Sequence, residues 1–309
     1  MHIYSTCGIY YIQENDMSIT GMIDRAKLAK GYITDEYLKP YAIFKNDMKD
    51  TYVDEMEICS EFEEGIVKQE FQVFYQPVVD ARTGKIVSAE ALVRWLHEQK
   101  GWISPGQFIP ALEKGGYISQ LDRYMIEKVT GCLNQRRTEE KRFVPVSVNL
   151  SWMDFYDENM LEWIVRGLKK NNQNEQKIRF EITETSLAAI GENHTRMLTH
   201  LKENGAEILL DDFGSGYSSF GMLQDYDFDI LKIDISFVRN IGVNKKSESI
   251  LRAIIDMAHQ LEIRLVAEGA ETEEQVAFLR ENGCDYIQGY YYYKPMPEKE
   301  FLQLLDEGK

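Results

Sequence analysis

"FQVFYQPVVDARTGKIVSAEALVRW", residues 71–95, holds two apolar segments, 71–79 and 85–95, separated only by "DARTG". Five residues are too few for a helical crossover between parallel strands, but they suit a hairpin. One of these two strands therefore runs antiparallel. Further short segments rich in Val, Ile and Phe follow at 144–151, 178–184, 206–212, 228–234, 263–269 and 286–291. Helical patterns lie between most of them, at 120–136, 158–170, 193–204, 245–261, 272–282 and 297–306. Strands interleaved with helices in this number predict an α/β fold, a (β/α)8 TIM-like barrel modified by one antiparallel strand.

The region before the barrel reads differently. "GIYYI" and "YAIF" are strand-like and flank the helical pattern "SITGMIDRAKLAKGY". Residues 48–68 form an acidic amphipathic stretch with Tyr52, Met56, Cys59, Phe62 and Ile66 at helical spacing, a linker helix or dimer seam. Two strands and a helix cannot bury a core alone. The expected division is a small α+β segment at 1–47, a connecting helix at 48–69 and the barrel at 70–309.

Composition narrows the function. The 309 residues carry a formal net charge of −16, which argues against non-specific nucleic-acid binding, since that relies on basic residues neutralising phosphates. Four scattered cysteines without a CxxC pair read as reduced thiols of a cytoplasmic protein. No run of about 18 apolar residues suggests a membrane segment. The five histidines lack zinc spacing.

In such a barrel the active site lies at the C-terminal strand ends. There the sequence offers Glu90, Asn149, Glu181, Asp211 with Asp212, Lys232 with Asp234, Glu268 and Gln288. So many converging carboxylates raise one another's pKa unless counter-charge is present, and Arg94 with Lys232 is too little. An all-oxygen donor set without Cys or His selects hard ions, Mg²⁺ or Mn²⁺. Two such ions suit phosphoryl displacement, with Lys232 orienting or helping to deprotonate the water, or stabilising phosphate charge. The bland alternative for Lys232 is a salt bridge to Asp234. In "SAEALVRW", Ser88, Glu90, Leu92 and Arg94 share one strand face. The loop "FGSGYSS" (213–219) does not fit a GxxxxGK[ST] phosphate loop, and reads as a lid or metal-site clasp. Glu184 and Glu271, each three residues beyond a candidate ligand, are expected to hold that loop. The adjacent Asp211 and Asp212 pose a puzzle, because neighbouring strand residues point to opposite faces. Asp212 is expected where the strand gives way to the loop.

"YQP", "EALVRW", "VNLS", "EITE", "DDFGSGYSS", "LKID", "AEGAET" and "QGYYYYKP" together resemble the EAL domain, a phosphodiesterase of the bacterial messenger cyclic di-GMP. The resemblance covers about residues 60–309, and its specificity lies in the order and spacing of the motifs. It implies that Glu90, Asn149, Glu181 and Asp211 bind one metal ion, and that Asp211, Asp212 and Glu268 serve a second. It implies that Lys232 and Gln288 contact the water and metal-site oxygens, and that Asp212 and Glu268 share in catalysis. Gln76, Glu90, Leu92, Arg94 and Asp234 would meet the dinucleotide, and Glu184 would steady the 212–219 loop. A homodimer through the barrel is the family expectation. Ser215 stands where Thr is common and Ala270 where Val is common, and neither removes a polar ligand. The N-terminal piece resembles the end of a GGDEF domain without its signature, so cyclase activity is not expected. The expected reaction is hydrolysis of cyclic di-GMP to linear pGpG. The rival readings are an inactive EAL-type receptor or protein-interaction module, and a barrel phosphodiesterase for another substrate.

Overall fold

The computed structural model describes residues 5–13, 18–33, 39–171, 178–190, 194–214 and 219–308. The chain divides into two compact units, Met1–Lys68 with Gly106–Gly115, and Gln69–Pro105 with Gly116–Lys309.

In the first unit β1 (Cys7–Ile9) and β2 (Tyr41–Ile43) form a parallel pair. Helix α1 (Ile19–Lys30) crosses between them, capped by Ser18, whose hydroxyl accepts from the Gly21 amide at 3.1 Å. Helix α2 (Asn46–Val67) follows, and α3 (Pro105–Gly115) belongs to this unit from Gly106 onward. The Cys59 thiol donates to the Ala111 carbonyl at 3.3 Å, and Lys114 pairs with Glu55. The predicted stripe on α2 splits: Phe62 is buried, whereas Tyr52 and Met56 are exposed. Sequence periodicity fixes which residues share a face, but not how far along the helix that face is covered.

The second unit is the barrel. Strands β3 (Phe71–Asp80), β4 (Ile86–His97), β6 (Val146–Asn149), β7 (Ile178–Thr183), β8 (Glu207–Phe213), β9 (Ile230–Ile233), β10 (Arg264–Glu268) and β11 (Tyr286–Gln288) close on themselves through the β3–β4 pairing. β3 is antiparallel to both of its barrel neighbours, β4 and β11, while the remaining barrel pairings are parallel. The five-residue hairpin predicted that one of these two strands runs antiparallel, and the pairings show that it is β3. Two short strands lay below the resolution of any sequence pattern, β5 (Gly101–Ile103) on β4 and β12 (Met296–Pro297) on β3. Around the strands stand α4 (Ile118–Thr138), α5 (Glu158–Asn171), α6 (Glu184–Ile190), α7 (His194–Glu203), α8 (Ser219–Asp225), α9 (Ile235–Arg239), α10 (Lys245–Gln260), α11 (Glu273–Glu281) and α12 (Glu298–Asp306). The helices missing from the sequence reading, α3, α6, α8 and α9, span at most 11 residues. α6, α8 and α9 have at most two turns, too few for a 3.6-residue period to declare itself, and α3 carries Pro110 in its interior.

Alternation along the strands builds the barrel interior in layers. Val78, Leu209, Ile230 and Val266 form a small apolar cluster, with Tyr286 packed against it. Each lies two residues from a polar group on the same strand face: Gln76, Asp211, Lys232, Glu268 and Gln288. Outward-facing neighbours such as Leu210, Leu231, Leu265 and Ile287 join the main core against the helices. Burying each such side chain contributes about 1.5–3 kcal/mol. The fold thus supplies an apolar floor, and one step higher a polar layer to which all eight strands contribute.

Candidate active site

Lys232 stands at the centre of that layer, 2% exposed. Its ammonium lies 3.1 Å from Glu90 Oε2, 2.6 Å from Glu181 Oε2, 3.2 Å from Asp211 Oδ1 and 2.6 Å from Glu268 Oε1. Gln288 Nε2 donates to Glu90 Oε2 at 2.7 Å and to Gln76 Oε1 at 3.2 Å. Asn149, exposed at the end of β6, donates to Glu90 Oε1 at 3.4 Å. Burial disfavours charge on Glu90, yet Lys232 and the hydrogen bonds from Gln288 and Asn149 outweigh it and hold its pKa below the usual range. Glu181 is pushed well above, by burial and then by Glu90 and Asp211, against Lys232. Glu268 rises to about 8, through burial first and then Asp211 and Glu90, again against Lys232. Burial would lower the Lys232 pKa, but Asp211, Glu181, Glu268 and Glu90 together raise it well above normal. One cation is too little for this many carboxylates.

The double aspartate is resolved by a bulge. Leu210 pairs with Leu231 and Phe213 with Ile233, so Asp211 and Asp212 together face the single residue Lys232. Asp212 adopts φ +56°, a left-handed conformation that Asp tolerates better than most residues. The strand does not end at Asp212, as the sequence reading had it, but continues to Phe213. The twist places carboxylate oxygens of Asp211, Asp212 and Glu268 within 4.8 Å of one another, a grouping that could hold a metal ion. Burial, then Asp211 and Asp234, raises the Asp212 pKa.

The neighbouring turns are locked together. A Cβ on Gly289 would meet the Ala270 carbonyl oxygen at 2.2 Å. Only glycine lets the segment after Gln288 press against the segment after Glu268, where the Ala270 amide donates to the Gln288 carbonyl at 3.3 Å.

Other candidates lie apart from the cluster. Asp234 is not the partner of Lys232; it leaves the strand and caps α9, accepting from the Ser236 amide at 2.9 Å. Arg94 lies further along β4 beside Leu92, donates to the Val93 carbonyl at 2.8 Å, and stands 5.8 Å from the Phe74 ring centre. Glu184, buried, accepts from the Gly214 amide at 3.4 Å. Glu271 reaches Arg239 at 4.0 Å. The remaining loop contacts expected of these two fall on residues 215–218, outside the described residues.

One buried pair escaped the sequence reading. Asp122 on α4 and Asp154, in the 3-10 turn Trp152–Tyr156, both accept from the Ser151 amide, at 3.2 and 2.9 Å. They anchor the chain two residues past Asn149. Burial, reinforced by Asp154, pushes Asp122 well above the carboxylate range, and burial raises Asp154 too. A [ST]-x-x-[DE] capping box in "SWMD" was the available signal for Asp154. Nothing local signals Asp122.

Among the described residues, no helix is long and apolar enough to cross a membrane, and all four cysteines are free of disulfides. Residues 60–295 match the EAL domain family. A probable cyclic di-GMP phosphodiesterase of Escherichia coli K12, PdeG, is 34% identical over 232 residues, 75% of this chain and 46% of its own. The cyclic di-GMP phosphodiesterase NbdA of Pseudomonas aeruginosa is 32% identical over 252 residues, 81% of this chain and 32% of its own. The solved structure of the PaMucR phosphodiesterase in complex with c-di-GMP superposes with a TM-score of 0.73 at 30% identity, covering 79% of this chain and 99% of that one. This chain spans less than half the length of these two curated relatives.

Proposed function

The chain belongs to the EAL domain family, and we propose that it hydrolyses cyclic di-GMP to linear pGpG with the help of two divalent cations, Mg²⁺ or Mn²⁺. The observation that carries this reading is the inward polar layer, in which four carboxylates share the single buried ammonium of Lys232.

The donor set fits hard cations. Asp211, Asp212 and Glu268 would supply one group of oxygens, and Glu90, Asn149, Glu181 and Asp211 would supply the other. Gln288 Oε1 is buried without a hydrogen-bond partner, an unmet acceptor that a hydrated ion would satisfy. Ions bound here would supply Lewis acidity, making a water more acidic and offsetting charge on the phosphoryl oxygens.

The rest falls to the chain's own residues. Lys232, whose four surrounding carboxylates favour its charged form, is placed to act as a fixed positive charge beside the phosphate. Gln288 and Asn149 orient the Glu90 carboxylate through their amides. Arg94 supplies a cation for the dinucleotide, on the strand face that Glu90 shares with Leu92. Gln76 and Asp234 complete the substrate contacts. Glu184 holds the backbone at Gly214, where the 212–219 loop begins, and Glu271 braces the same side from Arg239.

We further infer that residues 1–47 correspond to the C-terminal part of a GGDEF domain, residues 48–69 to its connecting helix and residues 70–309 to the catalytic barrel, acting as a cytoplasmic homodimer. Glu90→Ala and Lys232→Ala separate the enzyme from a cyclic di-GMP receptor. Both variants are expected to lose turnover, as measured by pGpG release with Mg²⁺. Undiminished hydrolysis by the Glu90 variant sinks the assignment, and wild-type binding without product favours the receptor.

A further inference from the structure

The hairpin ribbon continues past the acidic layer. β4 runs on from Glu90 to His97, and β5 folds back so that Trp102 pairs with Leu96. Glu90, Leu92, Arg94 and Leu96 share one face of β4. Across the pairing with β3, Gln76 stands opposite Glu90 and Phe74 opposite Leu92, on that same face. Gln288 ties Gln76 and Glu90 into the cluster, so this is the face turned toward the acidic layer.

The Trp102 indole leans back along the ribbon and meets the Phe74 ring edge-on, with centroids 5.8 Å apart. Phe74 is one rung from Gln76, roughly 7 Å of strand. Trp102 is 57% exposed and Tyr290, in the turn after β11, 55%. Arg94 lies over Phe74 and Lys294 lies 5.4 Å from the Tyr290 ring centre. A tryptophan exposed this far gains little from burial, and Arg94 over its partner Phe74 places a cation on the same ribbon, a combination suited to a ligand that is both anionic and aromatic.

We propose that Trp102, braced by Phe74, stacks against a nucleobase of the substrate and so sets selectivity for a base-bearing phosphodiester. This rests on the reading of the substrate as a cyclic dinucleotide. Stacking on one aromatic side chain is worth about 1–3 kcal/mol per base, or roughly five- to 150-fold in affinity.

The test is steady-state kinetics of the full chain with Mg²⁺, comparing wild type, Trp102→Ala and Trp102→Phe. Trp102→Ala is expected to raise KM for cyclic di-GMP by about five- to 150-fold with kcat nearly unchanged, and Trp102→Phe to restore most of it. Turnover of the abasic cyclic bis-ribose phosphate, which keeps the phosphodiester ring and carries no aromatic group, is expected to be equal in all three. Equal KM values for wild type and Trp102→Ala, or equal losses on both substrates, overturn the stacking role while leaving the phosphodiesterase reading intact. Failure of the wild type to bind or hydrolyse cyclic di-GMP overturns the substrate assignment and this inference with it.

Discussion

Lys232→Met removes the charge that holds the acidic layer together while keeping an unbranched side chain of similar length. In the wild type four carboxylates lie 2.6–3.2 Å from its ammonium, and Lys232 itself is 2% exposed. Removing one partner of a buried pair costs about 3–5 kcal/mol, because the other is left desolvated and unpaired. The shared cation places this site at the upper end, though protons taken up by Glu181 and Glu268 cap the loss. Each kcal/mol moves the midpoint by about 2–4 °C in chains approaching this size, so a fall of about 6–20 °C is expected at pH 8 in EDTA. The sign of the pH dependence is fixed. Without Lys232 the carboxylates favour their protonated forms further, so the deficit shrinks as pH falls toward the ordinary carboxylate range. Calorimetry of both proteins at about pH 8 and pH 5, with and without excess Mg²⁺, reads all of this. A midpoint within a degree or two of wild type at pH 8 in EDTA, or a deficit that ignores pH, refutes the argument.

Metal-free stability should itself fall with pH. Glu268 titrates near 8 in the folded chain, so its contribution is full below the unfolded carboxyl value of about 4.3 and is lost as pH rises through about 8. The midpoint gain from Mg²⁺ over EDTA is therefore expected to grow between about pH 5 and pH 9, and a gain flat across that range contradicts the cause assigned. The Asp122–Asp154 pair makes a similar claim away from the cluster. Both pKa values are raised, so the pair stabilises the fold below about 4 and loses that contribution as pH rises through the folded values. Asp122→Asn keeps a donor toward Asp154, and is expected to melt higher than wild type at pH 8 with the advantage gone near pH 4. Melting lower at pH 8 would tell against a shared proton. Gly289→Ala forces a Cβ to 2.2 Å from the Ala270 carbonyl oxygen, and is expected to cost about 2–4 kcal/mol in urea unfolding together with turnover. An unchanged urea midpoint would show that these turns are not locked.

Much of this architecture was written in strand alternation. The two-residue period put Leu209 below Asp211, Ile230 below Lys232 and Val266 below Glu268, so the polar layer could be read strand by strand. The hairpin "DARTG" likewise announced an antiparallel strand, since its length allows no crossover, though it could not say whether β3 or β4 would be the one. What escaped depends on backbone detail or distant packing. Alternation alone sends Asp211 and Asp212 to opposite faces, and only the bulge with its left-handed Asp212 reconciles them. The bland alternative, a Lys232–Asp234 salt bridge, rested on nearness in sequence, whereas the partners come from β4, β7, β8 and β10, which no local pattern could pair with Lys232. β5 is three residues long, too short to stand out as a strand, and only the folded ribbon brings Trp102 to Phe74. Asp122 has no local signal because its partner lies on a turn beyond β6.

The most direct test of the account is to incubate the purified full chain with cyclic di-GMP, with and without Mg²⁺ or Mn²⁺, and to follow pGpG by chromatography. Release of pGpG with either cation, abolished by EDTA, is the predicted result. Cyclic di-GMP left intact in the presence of both cations contradicts it.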